Sequence, residues 1–315
     1  MPDFLELTEN QSRQYIDAQA LIRAHGEALD DAAQVRGSMI WRELRGVRYL
    51  IRTSAASAQK TIGADSADTQ AIYDRFMERK QASAARVKSL TARLEEQRKL
   101  NRVYSVGRAP NVIIKVLSAL KKAGIASQFL TVGTNAIYAY ESACGVRVGT
   151  EAMATRDMDL LFDTRQRTAF VSTLRRLDTS LLAVLRKADP TFRVLRDQLQ
   201  TAVNDDGYEV DIIRRIAKDG DTHPLRMSSS EDDLWAVQVG SGEKMVAGRR
   251  FQQLVVAASG QMAMMQTIHP MDFIRIKTLL ASDTQRDPLK RPKDKLQAAV
   301  VQDLWDSYLQ HREAA

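Results

Sequence analysis

The segment Asn204-Asp205-Asp206-Gly207 constrains this chain more than any other. Asp-Gly supplies the positive backbone φ of a tight turn, and Gln198 to Val203 and Tyr208 to Ile213 on either side have strand character. A β-hairpin is expected there, and with it a sheet. Its second strand reads Tyr208-Glu209-Val210-Asp211-Ile212-Ile213, so alternation puts Glu209 and Asp211 on one face and Val210 and Ile212 on the other. Burying such a carboxylate without a cation costs several kcal/mol or shifts its pKa. Asp211 therefore calls for a metal or a basic partner.

A second strand has the same peculiarity. In Arg156-Asp157-Met158-Asp159-Leu160-Leu161-Phe162, Asp157 and Asp159 share one face while Met158 and Leu160 take the other. Carboxylates that close repel unless a cation lies between them, and oxygen donors alone suit a hard ion, Mg²⁺ or Mn²⁺. Upstream, the apolar strand Phe129 to Val132 runs into Gly133-Thr134-Asn135 and a helix. Glycine lets backbone amides approach a phosphate, and the start of a helix favours an anion. The plainer reading is that Thr134 caps that helix.

The rest of the chain frames these pieces. From Gln11 to about Arg102 the spacing is helical, with Tyr15, Ala18 and Ile22 at helical intervals and Ser66 placed to cap a long helix toward Leu100. Gly46 to Arg52 alternates and reads equally as a short strand or a basic turn. A helix is expected over Asn111 to Lys122, and another over Arg165 to Lys187 with a break near Asp178 to Ser180. Lys218 to Asp233 reads as a loop, followed by strand-like pieces through Met265 and helices over Pro270 to Ala281 and Pro292 to Gln310. The expected organisation is a helical N-terminal region (1–106), a core (107–220) and a C-terminal region (221–315) that completes the core's pocket.

Whole-chain properties narrow the chemistry. Cys144 is the only cysteine and the four histidines are scattered, which rules out a cysteine-based zinc cluster and leaves carboxylates as metal ligands. The longest apolar stretch, Leu254 to Ala258, is too short to span a bilayer, and the acidic opening is unlike a signal peptide, so a cytoplasmic protein is expected. A formal charge of +7 favours polyanionic partners. Across Ile72 to Arg102 nine Lys or Arg face four acids, which is either a solvated helix face or an arm for RNA.

Taken in order, Gly133-Thr134, Asp157-Met158-Asp159 and Asp211 resemble the nucleotidyltransferase superfamily with a DNA polymerase β-like core. Thr134 departs from the serine or glycine usual there, yet its hydroxyl and amide can make the same contact. The runs VGTNAIYAYESACGV, ATRDMDLLFD and NDDGYEVDII are similar to a little-characterised bacterial branch with a helical N-terminal extension, over roughly Ser127 to Arg214. The resemblance implies an α/β (α+β) protein, with a small mixed-sheet core, a helical N-terminal region and a mainly helical C-terminal part.

It also implies Mg²⁺ or Mn²⁺ held by Asp157, Asp159 and Asp211, with nucleotidyl transfer from a nucleoside triphosphate, ATP among them. Gly133 and Thr134 would face the triphosphate, and Lys277, in FIRIKTLLAS, would neutralise it from a helix beside the core. Arg275, Arg286, Arg291, Lys293 and Lys295 read instead as surface charge, and Glu209 as a helper of the site or a partner of Arg214 or Arg215. The acceptor is open among RNA, protein and a small molecule. Two rivals stand beside this reading: a nucleic-acid-binding protein that has lost catalysis, and a toxin-type transferase acting on tRNA or protein.

Overall fold

The computed structural model describes residues 4–54 and 57–312. Two compact units divide the chain: residues 13–100, and residues 1–12 with 101–315. After the two-residue strand β1 (Leu5–Glu6) comes the long helix α1 (Glu9–Gln34). Three strands follow, β2 (Ser38–Leu44), β3 (Val47–Thr53) and β4 (Gln59–Ala64), forming an antiparallel sheet in the order β2-β3-β4. The helix α2 (Ala67–Val103) closes the region.

The N-terminal region is thus helical with a small sheet between its helices, and the undecided Gly46 to Arg52 stretch is the middle strand. The turn between β2 and β3 is Arg45-Gly46, both at positive φ (53° and 76°). That backbone belongs to a two-residue hairpin turn, but arginine hides the signal that Asn-Gly would have given. Ser66 begins α2 as expected: its Oγ accepts from Thr69 N at 3.3 Å, and Thr69 Oγ1 accepts from Ser66 N at 2.9 Å. Leu21 and Ala28 of α1 pack with Leu90 of α2 in a narrow apolar seam. On the sheet, the Arg48 guanidinium lies 4.9 Å from the ring centre of Trp41, and that of Arg52 4.5 Å from Phe76.

In the larger unit, α3 (Asn111–Lys122) buries Ile113, Ile114, Val116, Leu117 and Leu120 along one side. Next come β5 (Phe129–Val132), α4 (Ile137–Cys144), β6 (Val146–Arg147), which pairs with β1, and the single turn α5 (Thr150–Met153). The strand β7 (Asp157–Phe162) leads to α6 (Arg167–Arg176) and α7 (Leu181–Arg186). The break expected between these helices is real, with Asp178 at φ 47°. Then β8 (Arg193–Val194) and β9 (Thr201–Val203) precede β10 (Glu209–Arg215). The Asn204 to Gly207 turn joins β9 to β10 in register Glu209↔Val203, with Gly207 at φ 72°.

The chain ends its described course with β11 (Leu225–Arg226), β12 (Trp235–Val239), α8 (Gly242–Ala247), the hairpin β13 (Arg250–Val256) and β14 (Met262–Ile268), α9 (Pro270–Ser282) and α10 (Arg291–Leu304). The central sheet is mixed, in the order β11-β12-β10-β7-β5, with β9 joined to the early part of β10 and β8 to β9. The parallel pairs are β10 with β7 and with β12. Met158, Leu160, Val210 and Ile212 are all fully buried on one face of this sheet. Phe129, Phe162 and Phe170 cluster there, with ring centres 4.9–5.7 Å apart. Beyond β7, Asp163 accepts hydrogen bonds from Arg165 and Arg250, each ion pair at 2.8 Å or less. Among the described residues no helix is long and apolar enough to cross a membrane.

Candidate active site

Strand alternation on β7 and the register of β10 build the site together. Asp211 lies directly opposite Asp159, and Glu209 opposite Asp157, on parallel neighbours. Adjacent strands run about 4.8 Å apart and alternate residues about 6.6 Å apart, so the three aspartates fall within one small patch on one sheet face. The face behind them is the buried apolar one. This is the convergence that the two acid-bearing strands imply.

Gly133 is fitted to that patch. At the end of β5, where Val132 pairs with Asp159, the backbone turns at φ 67°. A Cβ on Gly133 would stand 2.3 Å from Asp159 Oδ2, so only glycine leaves room for this carboxylate against the turn. Thr134 caps nothing: its Oγ1 accepts from Gln297 Nε2 at 3.0 Å, and Gln297 also donates to Ala152 O at 2.8 Å. Asn135 Nδ2 donates to Asp157 O at 2.6 Å, fixing the start of β7.

Hydroxyls hold two of the acids. Thr155 Oγ1 donates to Asp157 Oδ1, and Thr201 Oγ1 donates to Asp211 Oδ1 at 2.5 Å. Burial and then the charges of Asp157 and Asp211 push the Asp159 carboxyl up to about 7, against the pull of Lys277 and Lys290. Asp211 is also raised, by burial first and by Asp157, against the Thr201 hydrogen bond and the charge of Lys290. The site is short of positive charge at its centre and has cations at its edge.

Those cations come from α9, α10 and the segment between them. Lys277, only 8% exposed, reaches Asp294 Oδ1 at 2.7 Å, and its charge acts on Asp159. Burial lowers the Lys277 pKa despite that partner. Arg286, read from the sequence as a surface residue, binds the other oxygen, Asp294 Oδ2, at 3.0 Å. Lys290, exposed, forms no ion pair among the described residues and acts on both Asp159 and Asp211. Lys290, Asp294 and Gln297 lie four and three residues apart, one side of α10, which is why one helix serves the acids, Lys277 and Thr134 together.

Sequence reasoning passed over Lys290, Asp294, Gln297 and Asn135. Only the four- and three-residue spacing on α10 could have signalled the first three. Arg275 is at the surface beside Asp272. Glu209 has no ion pair with Arg214 or Arg215 among the described residues: Arg215 pairs with Asp221 and Glu243, and Arg214, on the opposite sheet face, meets His223 at 2.7 Å.

Whether the acids suit a metal turns on donor chemistry. Among the described residues no three His, Cys, Asp or Glu side chains are already disposed around one ion position. Two of the three aspartates are instead turned onto threonine hydroxyls. In kind the set fits a hard divalent ion: all-oxygen donors, a mutual repulsion that a cation would relieve, and no thiol or imidazole among them.

On the basic helix α2, Arg79 reaches Gln34, Lys80 reaches Gly37 O and Arg86 pairs with Asp31. Lys88, Arg93 and Lys99 are exposed without an ion pair among the described residues.

A family model described as nucleotidyltransferase matches residues 111–315, well over half of the chain and every residue of the patch described above. No curated protein and no solved structure matches the chain.

Proposed function

We propose, from the premise that the chain belongs to this nucleotidyltransferase family, that it transfers a nucleoside monophosphate from a nucleoside triphosphate to a hydroxyl acceptor in a divalent-metal-dependent reaction. One observation carries the reading: Asp159 and Asp211 stand in register on parallel strands, with Gly133 left bare against the Asp159 carboxylate. Asp157, Asp159 and Asp211 would hold Mg²⁺ or Mn²⁺. Bound there, such an ion supplies Lewis-acid charge at the α-phosphate and lowers the pKa of the attacking hydroxyl.

The chain's own groups do the rest. Backbone amides at Gly133 and Thr134 face the phosphates where β5 turns into α4, and Gln297 fixes the Thr134 hydroxyl beside them. Asp211 has Oδ1 engaged by Thr201, which leaves Oδ2 to accept the acceptor's proton. As the acceptor oxygen bonds to the α-phosphorus, the bond to the bridging oxygen breaks and pyrophosphate leaves. Lys277 and Lys290 meet the charge that develops on it.

For the acceptor we favour RNA, held through the exposed Lys88, Arg93 and Lys99 of α2. The test is to incubate the protein with each labelled triphosphate, Mg²⁺ or Mn²⁺, and total cell RNA and protein. Label should enter one fraction, and Asp157→Asn should abolish it. Label in neither fraction, or undiminished label with Asp157→Asn, would overturn the assignment. Label in protein alone would replace RNA as the acceptor.

A further inference from the structure

The small sheet β2-β3-β4 of the N-terminal unit has two unlike faces. Residues directly opposite each other on neighbouring strands share a face, so Trp41 goes with Leu50 and Met39 with Arg52. That side lies against α2: the Trp41 ring centre is 6.0 Å from that of Tyr73, and the Arg52 guanidinium 4.5 Å from that of Phe76. The other side carries the pairs Ile40 with Ile51, Arg42 with Tyr49 and Leu44 with Val47. Ile51 is buried, but Ile40, Leu44 and Val47 are 40%, 48% and 44% exposed. The half of this face nearest the Arg45-Gly46 turn is therefore open to solvent.

Single exposed apolar side chains are ordinary, whereas three grouped around a tyrosine on one sheet face point to a surface that binds something. Tyr49, half-buried on the middle strand, has Arg42 opposite it on one side and on the other Ala64, too small to cover its ring. The stretch from Arg36 to Lys60 holds six basic residues and one acid, Glu43, which shares the α2 side with its neighbour Arg48. Arg36, Arg42, Arg45 and Lys60 are exposed and form no ion pair among the described residues.

We propose, resting on the reading of RNA as the acceptor, that this open half-face binds it in unpaired form, with bases against Tyr49, Leu44 and Val47 and phosphates met by Arg42 and Arg45. Charge selects a polyanion and disfavours a second copy of the chain, whose own six cations would face these. The apolar and aromatic groups select a polyanion with accessible rings. Stacking on an aromatic side chain tolerates any base, whereas a duplex hides its rings and offers mainly backbone. The exposed cations of α2 grip either form, so the sheet is what tells them apart.

The test is fluorescence anisotropy of the full chain in excess chelator, without triphosphate, using a labelled RNA of about twelve nucleotides, single-stranded or annealed to its complement. The single strand should bind at least about tenfold more tightly than the duplex. Tyr49→Ala should weaken single-strand binding by about tenfold, the worth of one stacked base, and Leu44→Ser with Val47→Ser should remove the preference; neither should change duplex binding. If a melting curve shows that Tyr49→Ala unfolds the sheet, the Leu44 and Val47 pair, both exposed, decides. Arg42→Gln with Arg45→Gln should weaken both forms and flatten the salt dependence. No binding of either form, equal affinity for the two, or a preference that survives Leu44→Ser with Val47→Ser overturns the proposal. Binding of poly-glutamate or of phosphatidylserine vesicles in place of the single strand also overturns it, making the face a dock for acidic protein or for membrane. With neither metal nor triphosphate present, each of these outcomes leaves the transfer assay untouched.

Discussion

Asp294 offers the sharpest energetic test of how α9 and α10 are held beside the acids. Its carboxylate, almost fully buried, binds Lys277 at 2.7 Å and Arg286 at 3.0 Å. Each is a charge-assisted hydrogen bond of about 1.5–3 kcal/mol, with Arg286 near the low end because it is about a third exposed. Asp294→Ala would also strand the Lys277 ammonium inside, so the expected loss is about 3–5 kcal/mol. In a unit of this size one kcal/mol moves the melting temperature by about 2–4 °C, so a drop of about 6–20 °C should appear in differential scanning calorimetry. The informative control is Lys277→Met with Asp294→Leu. Removing both charges should recover at least half of the loss, because apolar replacement of a buried pair is often nearly neutral. A single variant melting within about 2 °C of wild type, or a double variant as unstable as the single, would show that the pair does not anchor these helices.

Gly133→Ala should cost about 1–2 kcal/mol for its left-handed backbone and drive Asp159 from its place, lowering transfer by about a hundredfold in steady-state kinetics; near-normal turnover would mean that Asp159 does not need this position. Asp159→Asn should raise the melting temperature in chelator, by relieving repulsion from Asp157 and Asp211, yet abolish the stabilisation that added Mg²⁺ or Mn²⁺ gives the wild type. Burial pushes Asp163 up, but the hydrogen bond and charge of Arg165 outweigh it and hold the carboxyl below its ordinary value. Its contribution is therefore complete above the unfolded carboxyl pKa of about 3.9 and lost as pH falls through the lower folded value; Asp163→Asn should flatten the acid limb of a stability–pH curve, and an unchanged limb would refute the pairing. Neutralising Lys88, Arg93 and Lys99 should reduce the salt dependence of RNA binding, and an unchanged slope in filter binding at several salt concentrations would show that α2 does not hold RNA.

Local signals in the sequence matched local structure. Asp206-Gly207 announced its turn, Ser66 its helix, and alternation alone sorted Asp157, Asp159 and Asp211 from Met158, Leu160, Val210 and Ile212. The pairing of β7 with β10 is another matter. Nothing in either strand says that they are parallel neighbours across the long connection between Phe162 and Glu209, or that Asp211 meets Asp159 rather than Asp157. That register comes from packing two apolar strand faces together. Likewise Asp294 and Gln297 carry no motif, and become partners of Lys277 and Thr134 only when α10 docks. Of the sheet at 38–64 only the middle strand was legible, and only as one of two readings, because Arg45 occupies a left-handed turn position where glycine or asparagine is the readable sign.

The alternation on β7 and β10 also acts as proofreading during folding. Sliding β10 by one residue against β7 would turn Glu209 and Asp211 into the oily interior and expel Val210 and Ile212 to water. A misaligned chain thus forfeits its hydrophobic contacts and buries charge in the same step, so it has little lifetime as a compact species. Near-miss registers, which in a sheet of uniformly apolar strands would be long-lived decoys, are here disfavoured by the same carboxylates that the finished molecule gathers into its acidic patch.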